Sequence, residues 1–157
     1  MKFSKTFLLL ITLVFVASVG MAVAEDTTVA PYTFTIPDDY TIATADDTTC
    51  AMQKDESNAI SFATGVGDDL EAAKQTLIDQ GKTFISEESM EYNGYDVTLQ
   101  AFSVDINGNT LYCYNYAVLT ESGNFVVTVT TDDANFDTDL NSDSNPAKVI
   151  FDSLQVN

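Results

Sequence analysis

The residues most able to do chemistry lie near the C-terminus, in 130-TTDDANFDTDLNSDSNPAKVIFDSL-154. Here Asp132, Asp133, Asp137, Asp139 and Asp143 crowd into one short run. Asp133, Asn135 and Asp137 place oxygen donors on alternate residues, as the first three ligand positions of an EF-hand calcium loop do. The pattern then fails at its diagnostic places: Thr138 stands at the sixth position, where the turn needs glycine, and Ser144 at the twelfth, where a bidentate glutamate belongs. The expectation is an exposed loop over 132–143 with no dedicated metal site. The alternative is a calcium-dependent structural or adhesive domain that uses this loop.

Other chemistries are limited by what the chain lacks. It contains no histidine, and its six cations are all lysines. A Ser-His-Asp or Cys-His constellation cannot be assembled, and arginine clamps for phosphate are missing. Gly65-Val66-Gly67-Asp68-Asp69 is no phosphate cradle, because two aspartates stand where the anion would sit. A carboxylate-pair hydrolase is the remaining enzymatic option and ranks third. We therefore expect no catalytic residues, no cofactor and a non-enzymatic role.

Two further sets of residues invite a reading. Tyr112, Tyr114 and Tyr116 share one face of a strand with Val118 and form a binding surface if exposed. Apolar Leu111, Cys113, Ala117 and Leu119 on the other face make the strand central and the tyrosines core. Cys50 and Cys113 are expected to be joined. In an exported chain such a pair reads as a structural disulfide, worth about 4 kcal/mol through closure of the loop between them.

Export is read from the N-terminus. Lys2 and Lys5 precede the apolar run Phe7–Val16, and Ala22-Val23-Ala24 offers a small–x–small cleavage site before Glu25. Residues 1–24 are read as a signal peptide, or as a membrane anchor if uncleaved. The protein is then secreted or extracytoplasmic. Beyond residue 24 stand four lysines against 24 acidic residues, a net charge of −20. That charge repels nucleic acid and anionic membrane surfaces; the expected partner is an unknown protein or cell-envelope component.

The elements that would position these residues are mostly strands. Residues 25–31 read as a short tail and 32–157 as a single domain. In 32-YTFTIP-37, Tyr32, Phe34 and Ile36 alternate before a turn at Pro37-Asp38-Asp39. Strand patterning continues through 41–54 and 58–65. A helix follows, with Asp68 and Glu71 as a capping box, Leu70, Ala73, Leu77 and Ile78 as its apolar stripe, and Gly81 as its stop. Strands 82–92, 95–106, 109–120 and 124–131 come next, joined at Asn93-Gly94, Asn107-Gly108 and Ser122-Gly123-Asn124. The apolar phase slips between Tyr95/Val97/Leu99 and Phe102/Val104/Ile106, which predicts a bulge or a sheet covered on both faces. A last helix begins at Asn145-Pro146 and buries Ala147, Ile150, Phe151 and Leu154. The class is α+β: a mainly antiparallel sheet with one inserted and one C-terminal helix.

The order of these elements resembles the PsbP-like family. The carriers are Phe34-x-Ile36-Pro37-x-x-Tyr40, the Ala59-Ile60 strand ending at Gly65, the following helix, the Asn-Gly hairpins and the closing Ile150-x-x-Ser153-Leu154. That family comprises α/β/α sandwiches, among them the photosystem II extrinsic subunit P and small exported proteins. The resemblance spans Tyr32–Val156 and implies the sandwich fold and a binding or assembly role. It implies no site residues.

Overall fold

Both Asn-Gly pairs adopt the conformation their chemistry favours. In the computed structural model, which describes residues 25–157, Asn93 and Gly94 have φ of 49° and 80°, and Asn107 and Gly108 have 52° and 83°. Positive φ at both central residues is the hairpin turn that matches the right-handed twist of strands. The turns join β6 (Thr83–Tyr92), β7 (Tyr95–Ile106) and β8 (Asn109–Val118). Residues 1–24, where the signal or anchor is read, lie outside the described residues.

Four more strands complete an antiparallel sheet: β3 (Thr41–Ala45), β4 (Thr49–Gln53), β5 (Ala59–Thr64) and β9 (Phe125–Thr131). Its seven strands run in the order β3-β4-β5-β9-β8-β7-β6, so β9 joins two groups of hairpins. The run 41–54 is two strands rather than one. It breaks where Asp46 Oδ1 accepts from Thr48 N at 2.8 Å, an aspartate turn that competes with the ladder.

A smaller sheet of order β1-β2-β10 lies against the large one, with β1 (Asp26–Val29), β2 (Tyr32–Thr35) and β10 (Gln155–Val156). The expected tail at 25–31 is therefore mostly strand. Val29, 1% exposed, carries it into the core. Phe34 meets Phe62 across the two sheets at 4.6 Å, and Tyr32 meets Phe125 edge-on at 4.9 Å.

Helix α1 (Leu70–Asp79) starts one residue later than its spacing predicted. Asp69, not Asp68, caps it, accepting from Ala72 N at 3.0 Å. Its end is as expected: Gly81 sits at φ 95°, with Gly81 N donating to Ile78 O and Lys82 N to Leu77 O. Helix α2 (Ala147–Ser153) follows Asn145, whose Oδ1 accepts from Ala147 N at 3.0 Å.

The slip in apolar phase within β7 is two-sided burial, not a bulge. Its register with β8 is unbroken from Val97↔Val118 to Ile106↔Asn109. Val97, Leu99 and Ala101 enter the main core with Tyr116, Val127, Ile150 and Phe151, while Phe102 joins Leu77 and Cys113 beneath α1. A bulge lies opposite that slip in the edge strand β6, between Phe84 and Ser86. The layers are thus α1, the large sheet, then α2 with the small sheet. Burying each large apolar side chain contributes roughly 1.5–3 kcal/mol, and the aromatic contacts among Phe62, Phe125 and Phe151 concentrate that gain under the small sheet and α2.

Candidate functional site

The acidic loop is charged outside and bolted inside. From the end of β9 it crosses the core face of β8, where Phe136 stacks on Tyr114 at 4.9 Å and Leu140 is 1% exposed. Tyr116 Oη donates to Thr138 O at 2.9 Å and accepts from Asn145 Nδ2 at 2.9 Å. Burial is the main force pushing the Tyr116 phenol well above its usual range, with the Asn145 hydrogen bond opposing it. Three apolar or amide side chains from an otherwise polar run thereby tie the loop to the sheet.

The carboxylates turn back on their own backbone. Asp133 Oδ1 accepts from Asn135 N at 2.8 Å, Asp137 Oδ1 from Asp139 N at 3.1 Å, and Asp139 Oδ1 from Asn141 N at 2.9 Å. These are successive aspartate turns. The Asn141 N–H and side chain hold Asp139 below the ordinary carboxylate range. The three EF-like positions Asp133, Asn135 and Asp137 are spread along these turns. Among the described residues no group of three acidic, cysteine or histidine side chains is gathered as a metal would require. What the loop presents is a row of fixed negative charges.

The tyrosine row is core. Tyr116 is 0% exposed and Tyr114 7%, both under the acidic loop, and Tyr112 is half-buried beside them. The rings that were a candidate surface serve as the floor on which that loop is laid.

The expected disulfide is absent, and both cysteines are free and buried. Cys50 pairs with Phe62 in β4–β5, while Cys113 pairs with Thr130 in β8–β9. Three strand spacings separate β4 from β8, about 14 Å, against the roughly 4.4–6.8 Å between Cα atoms that a disulfide spans. They also face opposite ways: Cys50 enters the main core and Cys113 the cluster under α1. Burial pushes the Cys50 thiol up to about 11 and raises that of Cys113 as well, so both behave as small apolar groups.

A second feature escaped the sequence reading. Between the sheet and the start of α1 lies a cleft lined by Val66, Leu70, Ala73, Ala117 and Val126, with Gln100 and Asn115 at its floor. Gln100 and Asn115 are opposite one another in β7 and β8 and are each 3% exposed. Gln100 Nε2 donates to Glu87 Oε1 at 2.8 Å and to Leu70 O at 3.2 Å. Asn115 Oδ1 accepts from Thr128 Oγ1 at 2.9 Å, but Asn115 Nδ2 is buried without a partner. The available signal was two amides in mid-strand among apolar residues, facing one another only once the register is known.

Comparison with known proteins identifies the architecture. No protein-family model matches the sequence, and no curated protein matches it. The fold is PsbP-like. The solution structure of cyanobacterial PsbP (CyanoP) from Synechocystis sp. PCC 6803 matches with a TM-score of 0.59 at 13% identity, over 93% of this chain and 99% of that one. A crystal structure from Bacteroides thetaiotaomicron VPI-5482 matches with a TM-score of 0.56 at 12% identity, over 83% of this chain and 47% of that one. The present chain thus spans about half the length of the Bacteroides protein. At these identities the likeness is one of fold.

Proposed function

We propose that this chain is an exported, non-catalytic binding module that engages a cationic partner in the cell envelope through the acidic loop at 132–143. One observation carries the reading: the loop is a charged surface built on core contacts. Leu140 and Asn145 are each 1% exposed, and the Tyr116 hydroxyl links loop to sheet. A surface ordered in advance loses little conformational freedom on binding, so its attraction for positive charge is not spent on ordering the loop. The order of basic, apolar and small residues at the N-terminus supports export, and the lack of histidine and arginine supports a role without general-base or phosphate chemistry. Among the described residues no helix is long and apolar enough to cross a membrane.

The test is fractionation of the native host. Expected is a chain beginning at Glu25, retained by the envelope at low salt and released by about 0.5 M sodium chloride, where the Debye length shrinks to roughly 4 Å. The Asp133→Asn, Asp137→Asn double variant should be released at lower salt. Retention that neither salt nor the variant weakens would rule out the acidic loop as the interface.

A further inference from the structure

We propose that the cleft between α1 and the sheet is a ligand site for an uncharged carbonyl oxygen, such as that of an amide, carried on a small apolar body. The cleft opens on the face of the sheet opposite the acidic loop, and its test does not depend on the reading of that loop.

The polar end of the site is Asn115. Its oxygen is engaged by the Thr128 hydroxyl at 2.9 Å, which turns Nδ2 away from Thr128. That nitrogen is buried and unpartnered, in a side chain 3% exposed that lines the cleft. A buried donor left unpaired has lost its water without gaining a partner, so an acceptor that reaches it is favoured. The neighbouring amide shows what a satisfied group looks like here: Gln100 Nε2 donates both to Glu87 and to the carbonyl of Leu70. Asn115 offers the same kind of donor to whatever enters.

The walls select the rest of the ligand. Val66, Leu70, Ala73, Ala117 and Val126 are apolar; the enclosed space is about 20 Å³, so it takes the carbonyl oxygen while the apolar body lies against these walls at the open mouth. Charge selects neutrality. Asp69 caps α1 at the cleft's edge, and Glu87 lies on Gln100. Lys74, the cation of α1, is paired with Glu71 at 2.8 Å and lies over the Phe84 ring. A carboxylate or phosphate would meet this negative rim, and Lys82, the other lysine on this face, lies beside Cys113. A cation would find apolar walls and an N–H donor in place of ligands. A neutral acceptor suffers neither cost.

The experiment is a titration of the ¹⁵N-labelled full chain with three small probes: N,N-dimethylacetamide (acceptor only), acetate (anion) and methylammonium (donor). Dimethylacetamide should give saturable shifts of the Asn115 side-chain amide and of the backbone amides of Val66, Ala117 and Val126. The other two should bind at least tenfold more weakly. Asn115→Leu should abolish the response. Ala73→Leu, which leaves Asn115 in place and fills the cleft from the helix side, should weaken it at least tenfold and guards against a folding defect in the first variant. Shifts that rise linearly without saturation would mean that the amide holds an ordered water only, and would overturn the proposal. Equal response to all three probes, or preference for methylammonium, would overturn it too.

Discussion

Replacing Tyr116 with phenylalanine isolates the joint between the acidic loop and the sheet. The ring stays, so Tyr116→Phe leaves the packing against Phe151 and the main core in place and opens no cavity. What goes is one hydroxyl with two hydrogen bonds of 2.9 Å, to Thr138 O and from Asn145 Nδ2. Thr138 O loses this donor, and Asn145 Nδ2 keeps only a 3.4 Å contact to Asp139 O. Each buried group left unpaired costs about 1–3 kcal/mol, so a loss of about 2–3 kcal/mol is expected. Near 3–5 °C per kcal/mol for a domain of this size, Tm should fall by about 6–15 °C. Urea unfolding followed by tyrosine circular dichroism measures the first number. Digestion by a protease that cleaves before aspartate measures local opening of the loop, and its rate should rise about 30-fold for 2 kcal/mol. Asn145→Ala completes a double-mutant cycle, with an expected coupling of at least about 1 kcal/mol. A loss below about 0.5 kcal/mol, with loop cleavage unchanged, would refute the argument that this hydroxyl holds the loop.

The cysteines should be silent to a thiol reagent in the native protein and give two thiols on unfolding without reductant; no thiols on unfolding would restore the disulfide. Calcium and magnesium at equal ionic strength should raise Tm by the same small amount, because Asp133 and Asp137 are turned to their own backbone; a saturable shift specific to calcium and abolished by Asp133→Asn, Asp137→Asn would revive the calcium-dependent reading. Burial, with the charge of Asp55 adding to it, pushes the Tyr40 phenol from 10.0 up to about 12. The folded state therefore holds this proton more tightly, and the associated stability is complete below pH 10 and lost between about pH 10 and 12; Tyr40→Phe should flatten that part of the pH–stability curve. In acid the sign reverses. Asp46, held low chiefly by the Thr48 N–H, and Asp139, held low by Asn141, contribute above the ordinary carboxylate range. Their contribution falls away as pH drops below 3.8 toward their folded values, which acid titration of the Asp46→Asn variant would show as a smaller loss than in the parent.

Local chemistry was legible in the sequence, and distant pairing was not. Asn93-Gly94 and Asn107-Gly108 declare their turns because few other residue pairs tolerate positive φ twice in succession. Gly81 declares the end of α1 for the same reason. The cysteines show the limit. Each sits in a strand, but whether they meet depends on β5 and β9 lying between them and on which face each residue takes. Both follow from a register set by contacts far apart in sequence. The acidic loop misled in another way. Its composition reads as solvated, and Phe136, Leu140 and Asn145 look incidental until β8 supplies Tyr114 and Tyr116 beneath them. Asn115 is the same case on the other face: an amide in a strand has no meaning until its neighbours are known to leave one of its atoms unpaired.

The place of β9 has a consequence for how the chain reaches its final shape. The strands before it form two separate groups, β3-β4-β5 and β6-β7-β8, and neither touches the other until Phe125–Thr131 slides between them. The small sheet waits longer still, since Gln155 and Val156 pair with Thr33 and Tyr32 at the opposite end of the chain. If the chain is exported as proposed, threading N-terminus first, it would emerge with half-sheets that cannot close and would commit to its fold only on release. Under that proposal, late closure would keep the chain pliable for passage and leave edges open to wrong partners meanwhile. During that interval the repulsion among 24 carboxylates would help hold the chain apart from its copies.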